Sequence, residues 1–484
     1  MYRSACNRVE KRWAKVRQGC YRRDGPRPAQ LKLGEYLERD MNETVQSAAI
    51  SNAVQERENT LADRQRIRRA VLASGFGTIV EYFDFGLYAF FASVIADAFF
   101  PLGDRTAALL YTYGIFAASF ILRPLGGILL GHVADRFGRR PALGLSVGGI
   151  SLASALIGCV PSYAEIGIAA PILLLTLRFI QGLSAGGEIG GAQAYVVEVA
   201  PKRSRAYLAG FVSMGLLSGT LFGALSSAFV HTVFDARALT AWAWRLPFLI
   251  SLPLGIVTLI FRAKMDESEA FQRIEKRGAV ESVPVVAILQ EHLRELLIVA
   301  CVSAGNLMLF YMTFAYLPTY LQREHCMSGT GAAWSTCVAL LGGIVTIPLW
   351  ARLSDRIGRR PLLLAASIGA AVLAYPAFLA MTWSSAAAVT AQFLLGQIQA
   401  LSLGVAYVTQ CEMFPTRVRS TGVSLGCNLS ATVVAAPAPY LATWLIPATG
   451  NVHAPALMIV VTALIAAAAA YAAKETAGCS LNGE

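Results

Sequence analysis

The sequence predicts an all-α membrane protein, twelve transmembrane helices in two pseudo-symmetric six-helix bundles, on three observations. The 484 residues are 55% hydrophobic and 15% charged with mean hydropathy +0.53, too apolar for a water-soluble globule. Twelve apolar runs reach the ~20 residues needed to cross hydrocarbon. The chain also repeats itself: GHVADRFGRRPAL (Gly131 to Leu143) returns as ARLSDRIGRRPLL (Ala351 to Leu363), and EVAPKRSR (Glu198, Pro201, Arg205) returns as EMFPTRVR (Glu412, Pro415, Arg419). Two related halves follow.

Residues 1–68 are basic and polar and lack the apolar core of a signal peptide, so they read as a cytoplasmic tail. Met41 would serve equally well as a start. Residues 45–69 have helical composition with a weak apolar face, more a solvated helix than one lying on a membrane. The first half, 69–262, holds spans near 71–97, 107–131, 141–161, 168–198, 206–231 and 243–262. Span 2 must stop short of Asp135, Arg136, Arg139 and Arg140, since each such charge at mid-bilayer costs ~2.5–3.5 kcal/mol, and the block therefore reads as a short loop. APKRSR ends span 4 in the same way, and a stretch rich in Glu, Lys and Arg, 263–294, ends span 6 as a cytoplasmic linker. The second half, 295–473, repeats the scheme with spans near 295–321, 331–351, 361–382, 386–411, 420–445 and 454–473. Residues 474–484 form a short cytoplasmic C-terminus.

The positive-inside rule fixes the direction of threading. With both termini cytoplasmic, the repeated loops, APKRSR, MFPTRVR and the linker all lie inside, and the opposite face holds only Arg105, Arg237, Arg245 and Arg323 among Lys and Arg. The net charge of +11 is therefore topogenic rather than a nucleic-acid footprint, and sixteen of the forty-one Lys and Arg precede Val71. The expected location is the plasma (inner) membrane, the expected partners a small solute, protons and lipid. Nine scattered cysteines without CxxC and five isolated histidines suggest neither metal nor disulfide framework, and no cofactor is expected. Two bundles related by an axis along the membrane normal, with a site between them near mid-bilayer, are the architecture of many secondary transporters.

Gly131 to Arg140 fits G-x-x-x-D-R-x-G-R-R, and on that motif the chain resembles the major facilitator superfamily; Ala351 replaces the glycine in the second copy. EYFDFGLYA, RFIQGLSAGGE, WAWRLPF and EMFPTRVRSTG resemble its metabolite:H+ symporters, and PSYAEIGIAAPILLL, YMTFAYLPTYL and the terminal KET are most similar to proline/betaine transporters. Osmosensing members carry a long heptad-bearing extension, whereas this sequence runs to Glu484, so osmotic gating through such an extension is not expected.

Charges inside spans are costly and mark sites or pathways. Gly77, Glu81, Asp84 and Tyr88 recur at helical spacing as one polar stripe on span 1. Arg178, Gln181 and Glu188 share a face of span 4, where Gly182, Gly186 and Gly187 permit close helix approach. Glu81 and Asp84, with Glu188, are candidates to take up a proton and release it as Arg178 approaches, the role the resemblance implies for Arg178; the alternative is a permanent ion pair joining spans 1 and 4. Arg123 reads as a structural or snorkelling residue. Asp135 is expected to meet the positive N-terminus of span 11 near Arg419, and Asp355 that of span 5 near Arg205. With Arg136, Gly138, Arg139 and Arg356 these would make two conformational latches. Tyr88, Gln181, Asn306, Tyr311, Gln397 and Asn428 are candidate substrate contacts, and the aromatic residues of spans 1 and 7 could form a box for a quaternary ammonium.

The function expected is proton-coupled symport, by alternating access, of a small zwitterion or organic acid, with a proline- or betaine-like solute favoured. Symport of a dicarboxylate, tricarboxylate or shikimate-type acid is the near alternative. Drug/proton antiport is weaker because GLLSGTLFG in span 5 lacks the antiporters' proline, and a receptor on this scaffold would need a signalling domain. The spans hold no nucleophile, base and orienting group together and no GxxxxGK[ST] loop, so an enzyme is not expected.

Overall fold

Apolar sequence with no water to satisfy its backbone must close its hydrogen bonds within each segment, and helices do so. The computed structural model describes residues 63–100, 105–264, 267, 271, 272, 275, 283–324, 327–479 and 481, and these hold helices and no strand. The expected tail falls outside them as far as residue 62, as does most of the expected linker.

Among the described residues eleven helices are long and apolar enough to cross a membrane, and a bent pair at the start makes twelve if it is counted as one span. Helix α1 runs Asp63–Phe90 and continues as Ala92–Phe99 after a 63° bend. The rest of the first half is α2 (Leu110–Phe137), α3 (Arg139–Cys159), α4 (Ala169–Val199), α5 (Lys202–Val233) and α6 (Leu239–Ala263). The second half is α7 (Leu293–Glu324), α8 (Gly331–Ile357), α9 (Arg359–Ala380), α10 (Ser385–Met413), α11 (Arg419–Thr449) and α12 (Pro455–Ala472). Within the halves α3 packs on α6 and α9 on α12; between them α2 lies against α11 and α5 against α8.

The repeated block is not the loop expected. Helix α2 stays helical through Asp135 and Arg136 to Phe137, and α3 begins at Arg139 with Gly138 alone between them at φ 102°. Gly358 repeats this between α8 and α9 at φ 107°. That backbone is open to glycine and strained for other L-residues, so a single residue reverses the chain and holds the flanking charges rigidly. We call this side of the molecule the basic end.

Close backbone approach sets the other contacts. A Cβ on Gly182 would fall 2.0 Å from the Ser119 carbonyl oxygen, and one on Gly186 would fall 2.3 Å from that of Arg123, so α4 and α2 nearly touch. Helices α7 and α11 carry π-helical turns at Tyr311–Tyr316 and Ala431–Ala435. Such turns cluster at functional positions.

Candidate functional site

The stripe on α1 meets three arginines in succession. Asp84 and Arg178 are both fully buried, 3.6 Å apart. Gln181 Nε2 donates to Asp84 at 2.9 Å and to Ser154 Oγ at 2.8 Å, and Ser154 Oγ also hydrogen-bonds Asp84. Arg178 lies 3.7 Å from the centre of the Tyr88 ring, whose hydroxyl donates to the Thr112 carbonyl at 3.0 Å. None of the three Arg178 nitrogens has a hydrogen-bond partner among the described residues. A guanidinium held by an ion pair and one ring face, with its donors unspent, is loosely held for a buried charge.

Glu81 does not share Arg178. It pairs with Arg123 at 3.7 Å, and its Oε2 is buried without a hydrogen-bond partner among the described residues. Arg123, expected to snorkel or brace, lies over the rings of Phe85 and Phe120. Glu188 forms a third pair, gripped by both terminal nitrogens of Arg262, which also bonds the Leu143 carbonyl. Gly77 leaves room for that grip: a Cβ there would fall 1.7 Å from Arg262 Nη2. Glu188 thus stands apart from Asp84 and Arg178, in a tight two-pronged pair of the kind that braces helices. Arg262 escaped the sequence reading because it ends a span, where arginine ordinarily marks topology; a glycine facing a buried carboxylate was the available signal.

At the basic end two clusters repeat each other across the seam. Asp135 accepts from the backbone of Ser420 (3.2 Å) and Thr421 (2.9 Å) at the start of α11 and from Thr421 Oγ1 (2.7 Å). Asp355 accepts from the backbone of Ala206 (3.0 Å) and Tyr207 (2.9 Å) at the start of α5. A carboxylate on free amides at a helix N-terminus answers both hydrogen bonding and dipole. Arg139 bonds Asp135 and Glu198, and Glu198 also takes Arg419 at 2.8 Å. Arg359 bonds Asp355 (2.9 Å) and Glu412 (3.1 Å), and Arg205 lies 3.6 Å from Glu412. Gly138 supplies the turn. Arg136 and Arg356 are exposed and stand outside both clusters. Glu198, Glu412 and Arg359 were not expected as site residues, although the repeat makes Arg359 the counterpart of Arg139.

The candidate substrate contacts divide. Tyr88 and Gln181 belong to the Asp84 group. Tyr311 stands edge-on to Phe120 across the seam at 5.9 Å, and Asn428 Nδ2 donates across it to the Gly186 carbonyl. Asn306 instead accepts from Gln399 (3.0 Å) and Ser402 (2.9 Å) beside a cavity of about 10 Å³ inside the second half, too small for a solute. Gln397 accepts from Thr346 at 2.8 Å, also within that half. Both amide oxygens are spent on interhelical hydrogen bonds, although Gln397 Nε2 has no partner among the described residues.

Comparison with known proteins agrees with this fold. Residues 70–290 match the family model for sugar (and other) transporters and residues 299–478 that for the Major Facilitator Superfamily. A proline/betaine transporter of Salmonella typhimurium is 34% identical over 88% of this chain and 87% of its own length. The alpha-ketoglutarate permease of Escherichia coli is 33% identical over 79% of this chain and 88% of its own. A solved structure of the proton:xylose symporter XylE superposes with a TM-score of 0.72 at 18% identity, covering 87% of this chain and 98% of that one, a likeness of fold alone.

Proposed function

The chain belongs to the major facilitator superfamily, a family of membrane transporters, and from that premise we propose that it carries a small zwitterion or organic acid across the plasma membrane together with a proton, by alternating access. The favoured solute is proline- or betaine-like. The observation that carries the reading is the Asp84–Arg178 pair: two opposite charges, both buried, with no hydrogen bond from the guanidinium among the described residues to hold it in place. Protonating Asp84 removes the charge that keeps Arg178 there, and returning Arg178 expels the proton. A contact that exists in one protonation state and not in the other is what coupling requires. Glu81, paired with Arg123, is a second carboxylate able to respond in the same way.

The basic end faces the cytoplasm in this reading, with both termini on that side. The Asp135 and Asp355 clusters are latches that hold it shut while the opposite end admits solute. Proton entry supplies the work, since one charge moving inward gains ~2.3 kcal/mol per 100 mV, enough for roughly forty- to fifty-fold accumulation. Likeness to the alpha-ketoglutarate permease supports an organic acid as the second reading for the solute. Proteoliposomes with an imposed inward proton gradient test the proposal. Proline, glycine betaine or 2-oxoglutarate should accumulate and lose the gradient-driven part on adding a protonophore; uptake of any of them unaffected by the protonophore contradicts proton symport.

A further inference from the structure

Arg123 occupies an aromatic cage on the seam between the two halves. Its guanidinium carbon lies 4.1 Å from the centre of the Phe85 ring and 4.3 Å from that of Phe120. Phe116 closes the cage edge-on to both rings, at 6.2 and 5.2 Å, and Tyr311 reaches Phe120 from the second half. Thr432 Oγ1 of α11 donates to the Phe120 backbone carbonyl at 2.6 Å, tying that turn of α2 to the other bundle. Arg123 is 6% exposed, and its Nε is buried with no hydrogen-bond partner among the described residues, as is Oε2 of Glu81 beside it. The cation is thus held by ring faces and one loose ion pair, while a carboxylate oxygen nearby goes unused.

We propose that this cage is the seat for the cationic head of the solute, and that Arg123 keeps it filled between solutes. A quaternary-ammonium carboxylate entering between the bundles places its onium group on the faces of Phe85 and Phe120. The displaced guanidinium turns to Glu81 and to the solute's own carboxylate. One cation replaces another on the rings, so no charge is left without a partner. The quadrupole of a ring attracts any cation, but once the displaced guanidinium has taken Glu81 the ring faces offer no carboxylate or carbonyl to the three N–H donors of a primary ammonium. A trimethylammonium brings none, and the cage therefore selects for onium heads. The inference takes its solute from the transport reading above, while binding at the cage is a separate property.

Calorimetric titration of the purified protein tests it with two probes of one shape: glycine betaine, and 3,3-dimethylbutanoate, in which carbon replaces the charged nitrogen. Betaine is expected to bind at least about tenfold more tightly. Phe85→Leu and Phe120→Leu should each weaken betaine by about two- to thirty-fold and leave 3,3-dimethylbutanoate unchanged. Phe85→Tyr, which keeps the ring, should retain betaine affinity and so separates loss of the cage from loss of folding. Equal binding of the two probes, or leucine variants that keep the wild-type preference, would overturn the cage. Betaine that binds while none of proline, glycine betaine and 2-oxoglutarate is taken up refutes the transport reading and leaves the cage standing. Proton-driven uptake of 2-oxoglutarate by a protein that does not bind betaine does the reverse.

Discussion

Glu81, Asp84 and Glu188 are each paired with one arginine, and the strength of each hold differs. Glu188 has two contacts to Arg262, whereas Asp84 faces an arginine that donates no hydrogen bond among the described residues. Asp84→Asn is therefore expected to abolish gradient-driven accumulation while sparing solute counterflow, measured side by side in the same vesicles. Loss of both would show a folding or binding role instead. At the tight pair the expectation is structural. Arg262→Met leaves Glu188 buried and uncompensated, at a cost of about 3–5 kcal/mol, and adding Glu188→Gln should recover much of it. Thermal inactivation of the single and double variants checks this, and additive losses would count against it.

At the level of elements, the turns at the basic end concentrate the sequence's constraints. Gly358 reverses the chain between α8 and α9 at φ 107° and ψ 168°, a region essentially reserved for glycine, and a Cβ there would fall 2.7 Å from Glu475 Oε2, so Gly358→Ala should cost about 1–3 kcal/mol, read from the shift in thermal inactivation. Just after α12, Glu475 accepts from the backbone of Arg359 (2.8 Å) and Arg360 (3.0 Å), capping the start of α9. Burial pushes its carboxyl pKa up, but the amides of Arg359, Ala477, Arg360 and Thr476 outweigh burial and hold it below the ordinary value. A carboxyl whose pKa is lowered by folding stabilises the fold above its unfolded value, about 4.3, and loses that contribution as pH falls through the folded value. Acidification through that range should thus reduce stability less in Glu475→Gln than in the wild type; parallel pH profiles would remove Glu475 as the source.

For the whole molecule, the consequence of two clusters related by the internal repeat is that the bundles are tied at one end from both sides. Asp135 reaches from the first half to α11, and Asp355 from the second half to α5. Opening that end means exposing eight or so polar groups together, which makes it a discrete step rather than a gradual one. Ser420, buried at this seam, is a reporter: Ser420→Cys should resist a membrane-impermeant maleimide, and adding Asp135→Asn should speed its labelling while membrane insertion is unchanged. Equal labelling with and without Asp135→Asn would remove Asp135 as a latch.

The crossings, the duplication and the stripe Gly77, Glu81, Asp84, Tyr88 were legible along the chain, because hydrocarbon length, repeat spacing and helical period are all written locally. The sequence also singled out the starts of α5 and α11 as targets for Asp355 and Asp135, since a duplicated motif carries its partners with it. Which arginine meets which carboxylate emerges from packing alone. Arg123, Arg178 and Arg262 come from three different helices, and pairing among them depends on helix rotation and on glycines that set interhelical distance, neither of which has a signature in one segment. The same reason separates Tyr311 and Asn428, which reach the seam, from Asn306 and Gln397, which do not: a buried amide has one sequence signal whether it faces its own bundle or the other.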